Sequence, residues 1–488
     1  MCPDRRLLVA WRLRVNSIWP GIIVHVAIAT LGGYGGSSAW NLTGKLRRLG
    51  PGTARDLSCL VVVDAKGFPM ICGYLHTDGP RILDAQGHAV LLAGLNWYGF
   101  DCSDMVAGGL HLRTVSTVCE HVVSLGFNCL RLPYCVQSIL DGAPISDGLD
   151  RMPELLGRTP LEVLDVVVDA AGRAGLKVIL ASQRSDAGWS AQENGLWYTR
   201  AYPEESWIAS WEILVRRYAA DATVVGCDLR NEPGAPPMDA TAWPRNGGAL
   251  WGYGDTFSST PRDWASAAER AGNAILEINS ELLIFVEGVR FAPSGPILHG
   301  QPALYWPGGN LTGVRASAST PRHGARPIAL DVPNRLVYSV HDYGPDMYRD
   351  LAWCQLDGTA RTRDACRLVW DQTWGFLVRE EIAPVLLGEF GTPNGYNPSI
   401  SSGRARPDDY VEPNDRNSQG AWFTYLVDYI HDLGIHWTYW CLNGTQSRAP
   451  GRDPRQPDWY GILTPDWRDT ASESMMRKLK SIQPRWYH

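Results

Sequence analysis

The sequence predicts an α/β protein with the (β/α)₈ architecture of a TIM barrel, formed by a single catalytic domain. From Gly73 onward, short apolar runs alternate with longer segments of helical period, which is the pattern of βα units around a parallel sheet. Eight such units favour a closed barrel over an open doubly wound sheet. No glycine-rich phosphate-binding loop follows the first strand, which counts against a nucleotide-binding fold.

The strands and helices of this barrel can be placed along the chain. The predicted strands are Val90–Asn96, Cys129–Leu132, Lys177–Ala181, Val225–Arg230, Leu282–Glu287, Leu336–His341, Pro384–Glu389 and Trp437–Trp440. The helical stretches between them include Leu161–Gly175, Glu204–Ala220, Pro261–Asn279 and Asn417–Leu433. After the seventh strand, the polar, Gly- and Pro-rich segment Asn394–Asn414 predicts a long loop on the face where barrels place their active sites.

Composition narrows the class of partner. The formal net charge of −6 over 488 residues gives neither a nucleic-acid footprint nor a polybasic membrane face. The chain contains 21 tryptophans. Buried core packing is the simplest use for them, but indole faces also stack on sugar rings, so composition alone gives modest support to carbohydrate binding.

The N-terminus has the composition of a targeting segment. Four arginines within the first 14 residues precede an apolar run from Ile18 to Leu31, and small residues follow at 35–39. This order is typical of a secretory signal, and the run is short for a membrane span. We therefore expect a signal peptide or signal anchor over 1–40, an extension over 41–72 and the barrel over 73–488, in a secreted protein. No later segment is apolar enough to span a bilayer.

The number of cysteines is compatible with a secreted protein, and their spacing does not define a metal site. Eleven cysteines leave at least one unpaired if the others form disulfides, and Cys354 with Cys366 flank a polar loop and form the best candidate pair. No cysteine or histidine cluster has the spacing of a zinc site. The sequence therefore predicts neither a metal nor another cofactor, and we expect a monomer.

Polar side chains gather where the predicted strands end, which is where barrel enzymes place catalytic groups. Two carboxylates among them are informative. Glu232 follows the fourth strand in Asn-Glu-Pro, and Glu389 ends the seventh. Cleavage of a glycosidic bond requires such a pair. Further polar residues at strand ends are Asn96, Arg131, Gln183, Asn231, Glu287, His341 and Tyr343.

Seven ordered segments resemble glycoside hydrolase family 5, and its cellulases in particular, over about Gly73 to Ile482. They are ILDA (82–85), GLNWYGF (94–100), LRLPY (130–134), AAERAGNA (267–274), LIFVEG (283–288), NRLVYS (334–339) and WTYW (437–440). The resemblance implies a retaining endo-β-1,4-glucanase acting on a β-linked polysaccharide or oligosaccharide, in which Glu232 is the acid/base and Glu389 the nucleophile. Their carboxyl groups should then lie about 5–5.5 Å apart.

The resemblance also implies roles for the neighbours of the two glutamates. Arg131 and Tyr343 would keep the nucleophile anionic, and Asn231 would bond the sugar 2-hydroxyl. His341 would bond near the reacting sugar or support Glu232, and Trp440 would form a stacking floor. Taken singly, a strand-end residue such as His341 or Arg131 is more often structural.

Four positions leave alternatives open. Gln183 occupies the place where the family usually carries a histidine, and glutamine forms hydrogen bonds but does not titrate. Trp97 and Trp306 would either line sugar subsites or belong to the core, with Trp306 favoured for a subsite because Pro307-Gly-Gly exposes its loop. Glu287 would either be structural or support the residues that contact the sugar.

The substrate and the activity also leave alternatives. A β-mannanase or a mixed-linkage glucanase of the same family would differ only in loop contacts. A glycan-binding barrel with weak catalysis is the alternative from another class, supported by Gln183 and opposed by the intact pair of glutamates.

Overall fold

The computed structural model describes residues 71–234, 248–252, 261–290, 306, 308–315, 325–347, 363–403, 406–413 and 419–484, with four two-residue strand pieces. The chain divides into two compact units, Met1–Cys72 with Arg485–His488, and Gly73–Pro484. In the first, Ala10–Trp11 pairs antiparallel with Val26–Ala27. Apart from residues 71–72, the rest of the predicted targeting segment and of the extension over 41–72 lies outside the described residues, as does Cys354 of the candidate disulfide.

The second unit is built on a closed barrel of eight parallel strands. They are β1 (Ala93–Asn96), β2 (Cys129–Cys135), β3 (Lys177–Arg184), β4 (Val224–Asp228), β5 (Leu283–Glu287), β6 (Leu336–His341), β7 (Val385–Glu389) and β8 (His436–Tyr439). Strands that are consecutive along the chain are neighbours in the barrel, and β8 pairs with β1 to close it. The predicted TIM barrel is confirmed, and each predicted strand overlaps an observed one. The first prediction began too early, because Val90 pairs in a small antiparallel sheet and the barrel strand begins at Ala93.

Helices follow the strands and cover the barrel. They are α1 (Val115–Ser124), α2 (Val136–Leu140), α3 (Pro160–Ala174), α4 (Glu204–Arg217), α5 (Trp264–Ile278), α6 (Arg363–Trp370), α7 (Phe376–Arg379), α8 (Pro398–Ser401), α9 (Gln419–Leu433) and α10 (Glu473–Ser481). A π-helical turn, Asp371–Gly375, joins α6 to α7, and short 3₁₀ turns lie at Pro153–Leu155, Thr312–Val314 and Pro407–Tyr410.

Helix α3 shows how local sequence fixes these boundaries. Thr159 and Glu162 form a reciprocal capping box, and Pro160 occupies the first turn, where its missing N–H leaves no acceptor unsatisfied. Gly175 ends the helix at φ 85°, a left-handed conformation that glycine adopts without strain. The buried face of α3 packs against the barrel because its apolar residues recur at helical spacing.

Indole rings fill much of the layer between barrel and helices. Ten tryptophans are among the largest fully buried side chains: Trp97, Trp197, Trp207, Trp211, Trp264, Trp370, Trp374, Trp422, Trp437 and Trp467. Core packing therefore explains a large part of the tryptophan content, and composition alone was a weak guide to sugar binding.

A small antiparallel sheet precedes the barrel, formed by His76–Asp78, Arg81–Leu83 and Ala89–Val90. Thr77 N–H donates to the carbonyl of Asn334, just before β6 begins, at 3.0 Å. This sheet therefore lies at the N-terminal end of the barrel, opposite the polar strand ends. Among the described residues, no helix combines the length and apolarity that a membrane span requires.

Candidate active site

The predicted polar residues meet at the C-terminal ends of the strands. Glu287, His341 and Glu389 are the last residues of β5, β6 and β7, and all three are buried. Glu232 lies just beyond β4 on the same face and is 8% exposed. Because parallel strands end at one rim of a barrel, these residues are neighbours despite their separation in sequence.

Glu389 receives hydrogen bonds on both carboxylate oxygens. Arg131 Nη1 donates to Oε1 at 3.0 Å, and Tyr343 Oη donates to Oε2 at 2.9 Å. Burial raises the pKa of Glu389, while the His341 and Arg131 cations and the Tyr343 hydroxyl oppose this by favouring the anion. Burial and the charge of Glu389 raise the pKa of Tyr343, so its hydroxyl remains a donor.

Arg131 organises the floor of the site. Its Nε donates to Asp228 Oδ2 at 2.8 Å, and its Nη1 also reaches Asn96 Oδ1 at 2.9 Å. Nη2 donates to Asn231 Oδ1 at 3.3 Å. The guanidinium is fully buried, and its planar fork matches several acceptors at once. Burial alone would lower its pKa, but the carboxylates, first that of Asp228, raise it, so the cation persists.

Asp228 is a site residue that the sequence analysis missed. It lies within β4, is completely buried and pairs with Arg131. The detectable signal was a carboxylate inside an otherwise apolar strand, since an unpaired charge there would be costly. An arginine on the predicted strand β2 was its natural partner.

Glu232 is held from two sides. His341 Nδ1 lies 3.0 Å from Glu232 Oε1, and the indole N–H of Trp306 donates to the same oxygen. The backbone N–H of Glu232 donates to Glu287 Oε2 at 2.8 Å. This backbone bond helps to hold Glu232 at φ 47°, a left-handed conformation that costs a non-glycine residue about 1–3 kcal/mol.

His341 links two of the carboxylates. Its Nε2 lies 3.1 Å from Glu287 Oε1, on the side opposite Glu232. Burial alone would lower the pKa of His341, but Glu287 and Glu389 raise it well above the ordinary value. This direction favours the imidazolium form, in which both ring nitrogens carry N–H groups. Burial also raises the pKa of Glu287, to about 7, against the opposing effect of His341.

The two glutamates are close enough to act on one bond. One ligand atom each from Glu232, His341 and Glu389 lies within 4.8 Å of the other two, so both carboxylates face the same small space. Such a group could in geometry surround a cation.

Gln183 lies beside the proposed nucleophile. Its Nε2 donates to Glu389 Oε1 at 3.4 Å, a long bond, and the side chain is 3% exposed. Its Oε1 has no hydrogen-bond partner among the described residues. The amide therefore contacts Glu389 without carrying a titrating group.

Trp440 belongs to an aromatic cluster at the site, and Trp306 packs against this cluster. Trp440 stacks on Tyr98, with ring centroids 5.2 Å apart and planes at 13°, and Tyr343 belongs to the same buried cluster. Trp306, half-buried, flanks this cluster at 4.7 Å from the Tyr343 ring.

Trp97 follows the second of the two alternatives that the sequence left open, a place in the core. It is fully buried, and its indole N–H donates to the carbonyl of Gly108 at 2.9 Å. Asn96 faces the barrel interior and donates to the carbonyl of Gly388. Because successive side chains of a strand alternate between its faces, Trp97 faces the outer, helix-covered layer. Trp97 is therefore a core residue.

A closed (β/α)₈ barrel with a buried pair of glutamates at its C-terminal rim defines a glycoside hydrolase of the barrel class. The family model of cellulase, glycosyl hydrolase family 5, matches residues 83–446. The chain therefore belongs to glycosyl hydrolase family 5, the family to which its sequence segments pointed.

Named relatives are consistent with an endoglucanase-type enzyme. An endoglucanase of Paenibacillus polymyxa is 37% identical over 397 residues, covering 81% of this chain and 83% of the relative. The major extracellular endoglucanase of Xanthomonas campestris pv. campestris is 30% identical and covers 82% and 70%. The solved endocellulase of Pyrococcus horikoshii has a TM-score of 0.67 at 30% identity, covering 84% of this chain and 99% of that one. A further solved structure of the Pyrococcus enzyme is a complex with cellotetraose.

Proposed function

We propose that this chain is a secreted endo-β-1,4-glucanase that hydrolyses cellulose or related β-glucans with retention of anomeric configuration. The observation that carries the proposal is the arrangement of Glu232 and Glu389. Their carboxylates are close together, and Glu389 accepts hydrogen bonds from Arg131 and Tyr343, as a nucleophile that must be anionic requires.

In the first step, Glu389 attacks the anomeric carbon while Glu232 gives its proton to the departing glycosidic oxygen. The carbon–oxygen bond to the leaving sugar breaks, and a covalent glycosyl-enzyme forms on Glu389. Asn231 is held by Arg131 through its Oδ1, so its amide N–H groups are the donors for the sugar 2-hydroxyl. That contact strengthens as positive charge develops on the ring.

In the second step, Glu232 is ionised and takes a proton from water, whose oxygen displaces Glu389 from the sugar. Two inversions restore the original configuration, and both carboxyl groups return to their starting protonation states. The chemistry needs no cofactor. Because burial raises the pKa of Glu389, activity should fall on the acidic side as this carboxylate becomes protonated.

The choice of β-glucan rests on the relatives and on the aromatic surface. The Pyrococcus endocellulase binds cellotetraose, and Trp440 supplies an indole backed by Tyr98 on which a glucosyl ring can stack. Mannan and mixed-linkage glucan remain the alternatives within the family, because they offer similar ring faces and differ in hydroxyl positions.

The roles are tested with Glu389→Gln and Glu232→Gln on a dinitrophenyl β-cellobioside. Glu389→Gln removes the nucleophile, so turnover should nearly vanish. In Glu232→Gln the first step should persist, because this leaving group needs little protonation, while the second step slows and a covalent adduct accumulates on Glu389. Intact-protein mass measures the adduct, and azide should restore turnover with a β-glycosyl azide as product.

Glu212→Gln is the matched control, since Glu212 lies on the outer helix α4 and pairs with Arg216 at the surface. It should leave turnover unchanged. An adduct on Glu232 would reverse the assignment. If both site variants hydrolysed polysaccharide as well as the parent, the glutamates would be structural.

Reducing-sugar release from purified polysaccharides then identifies the substrate. Faster release from mannan or from mixed-linkage glucan than from carboxymethyl cellulose would show that the proposed substrate is wrong and that the faster polysaccharide is preferred. Cellulose binding without product release would indicate the weakly catalytic glycan-binding protein.

Secretion is part of the proposal because of the order of basic, apolar and small residues over 1–40. The Xanthomonas relative is named as extracellular. Expression with mass analysis of the exported protein should show a product lacking about the first 40 residues. An extracellular, soluble product that retains Met1 would contradict cleavage.

A further inference from the structure

Trp306 makes a contact that sugar stacking alone does not explain. Its indole N–H donates to Glu232 Oε1, the same oxygen that faces His341 Nδ1 at 3.0 Å. An indole N–H is a donor at every pH relevant to activity and never accepts a proton. One oxygen of the proposed acid/base thus accepts from the indole N–H and also contacts an imidazole nitrogen.

The position of Trp306 is set by the glycines that follow it. Gly309 N–H donates to the carbonyl of Trp306 at 2.9 Å, which closes a tight turn. A side chain on Gly309 would lie 2.9 Å from the carbonyl of His341, and one on Gly308 would lie 2.3 Å from Glu287 Oε2. Only glycines allow the turn to approach the rim so closely, and this approach brings the indole to Glu232.

The ring is also supported from the nucleophile side. The Trp306 and Tyr343 ring centroids are 4.7 Å apart, and Tyr343 donates to Glu389. Aromatic rings at this separation attract each other beyond the effect of burying their surfaces. A continuous set of contacts therefore joins Glu232, Trp306, Tyr343 and Glu389.

We propose that Trp306 is a positioning residue for the general acid. By occupying Oε1 together with His341, the indole N–H leaves Oε2 as the oxygen that carries the proton toward the glycosidic oxygen. Trp306 itself exchanges no proton. This inference rests on the proposed function, since it assumes that Glu232 protonates the leaving group.

The test is Trp306→Phe, which keeps an aromatic ring beside Tyr343 and removes the N–H. The kcat/KM value reports the first step, so it is measured for phenyl β-cellobioside, which needs protonation, and for the dinitrophenyl analogue, which does not. We expect a loss of about 10- to 100-fold for the phenyl substrate, the effect of one hydrogen bond to a charged group. The loss for the dinitrophenyl substrate should be less than about threefold, a small fraction of one such bond.

Trp189→Phe is the matched control, because Trp189 flanks the same aromatic cluster and its ring centroid lies 5.9 Å from that of Trp440. It should change both substrates by the same factor. If Trp306→Phe does so too, or changes neither, the positioning role is wrong. Trp306→Met also lacks the donor and provides the same comparison if the Phe variant fails to fold. A parent enzyme inactive on both cellobiosides would instead refute the proposed function.

Discussion

Replacing Tyr343 by phenylalanine should move the acidic limb of the pH–rate profile to higher pH. The change keeps the buried ring and removes the hydroxyl that donates to Glu389 Oε2 at 2.9 Å. Burial already raises the pKa of Glu389, and this hydroxyl is one of the groups that oppose the rise. Without it, the neutral carboxyl is favoured further, so a higher pH is needed to ionise the nucleophile.

The magnitude follows from the burial of both partners, which are 3% and 4% exposed. Solvent screens this bond little, so a hydrogen bond to a charged group contributes about 1.5–3 kcal/mol. At about 1.4 kcal/mol per tenfold change in an equilibrium, the acidic limb should move by about one to two pH units. A smaller move is expected if water takes the place of the hydroxyl.

The assay is kcat/KM against pH with a dinitrophenyl β-cellobioside, whose leaving group needs little help from Glu232. The acidic limb then reports the ionisation of Glu389, the proposed nucleophile. Tyr460→Phe is the control, because Tyr460 packs 6.0 Å from Tyr343 while its hydroxyl lies 3.4 Å from Asp346. The control should leave the limb in place. A limb that stays put or moves to lower pH in Tyr343→Phe would refute the reasoning.

Two further predictions concern Glu287 and Gln183, which belong to the same buried site as Glu389. Burial raises the pKa of Glu287 to about 7 from 4.5, so the folded state binds one more proton than the unfolded state between these values, and stability should fall as pH rises through this interval. Glu287→Gln should flatten that part of the Tm–pH curve. An unchanged slope would contradict the prediction. Gln183→His should add a titrating donor beside Glu389, raising kcat/KM a few-fold on carboxymethyl cellulose and moving the acidic limb lower. An activity loss equal to that of Gln183→Ala would show that the amide itself is required.

The barrel was predictable because its strands are short, apolar and separated by helices with one apolar face. Those patterns depend on local periodicity, which the sequence displays directly. Glu232 and Glu389 were predictable for a related reason. Parallel strands must end on one rim, so carboxylates at the ends of the fourth and seventh strands had to approach each other once the barrel closed.

Contacts made by loops were not predictable in the same way. The bond from Trp306 to Glu232 joins residues 74 apart in the chain and depends on how a glycine turn meets the rim. The sequence suggested that Trp306 was accessible but not what its N–H would contact. The position of Trp97, which the sequence analysis left open, could have been decided from the sequence. Its neighbour Asn96 was recognised as a site residue, and strand alternation should then have placed Trp97 on the outer face.

The conformation of Glu232 shows why the surrounding polar residues matter as much as the pair itself. A left-handed backbone at this residue is unfavourable unless neighbouring groups hold it, and Glu287 does so by accepting its N–H. The same buried carboxylate lies against His341, which in turn contacts the Glu232 side chain. One carboxylate therefore acts on both the backbone and the side chain of the proposed acid. Removing Glu287 should therefore displace Glu232 more than removing either the backbone hydrogen bond or the His341 contact alone, because both restraints depend on the Glu287 carboxylate.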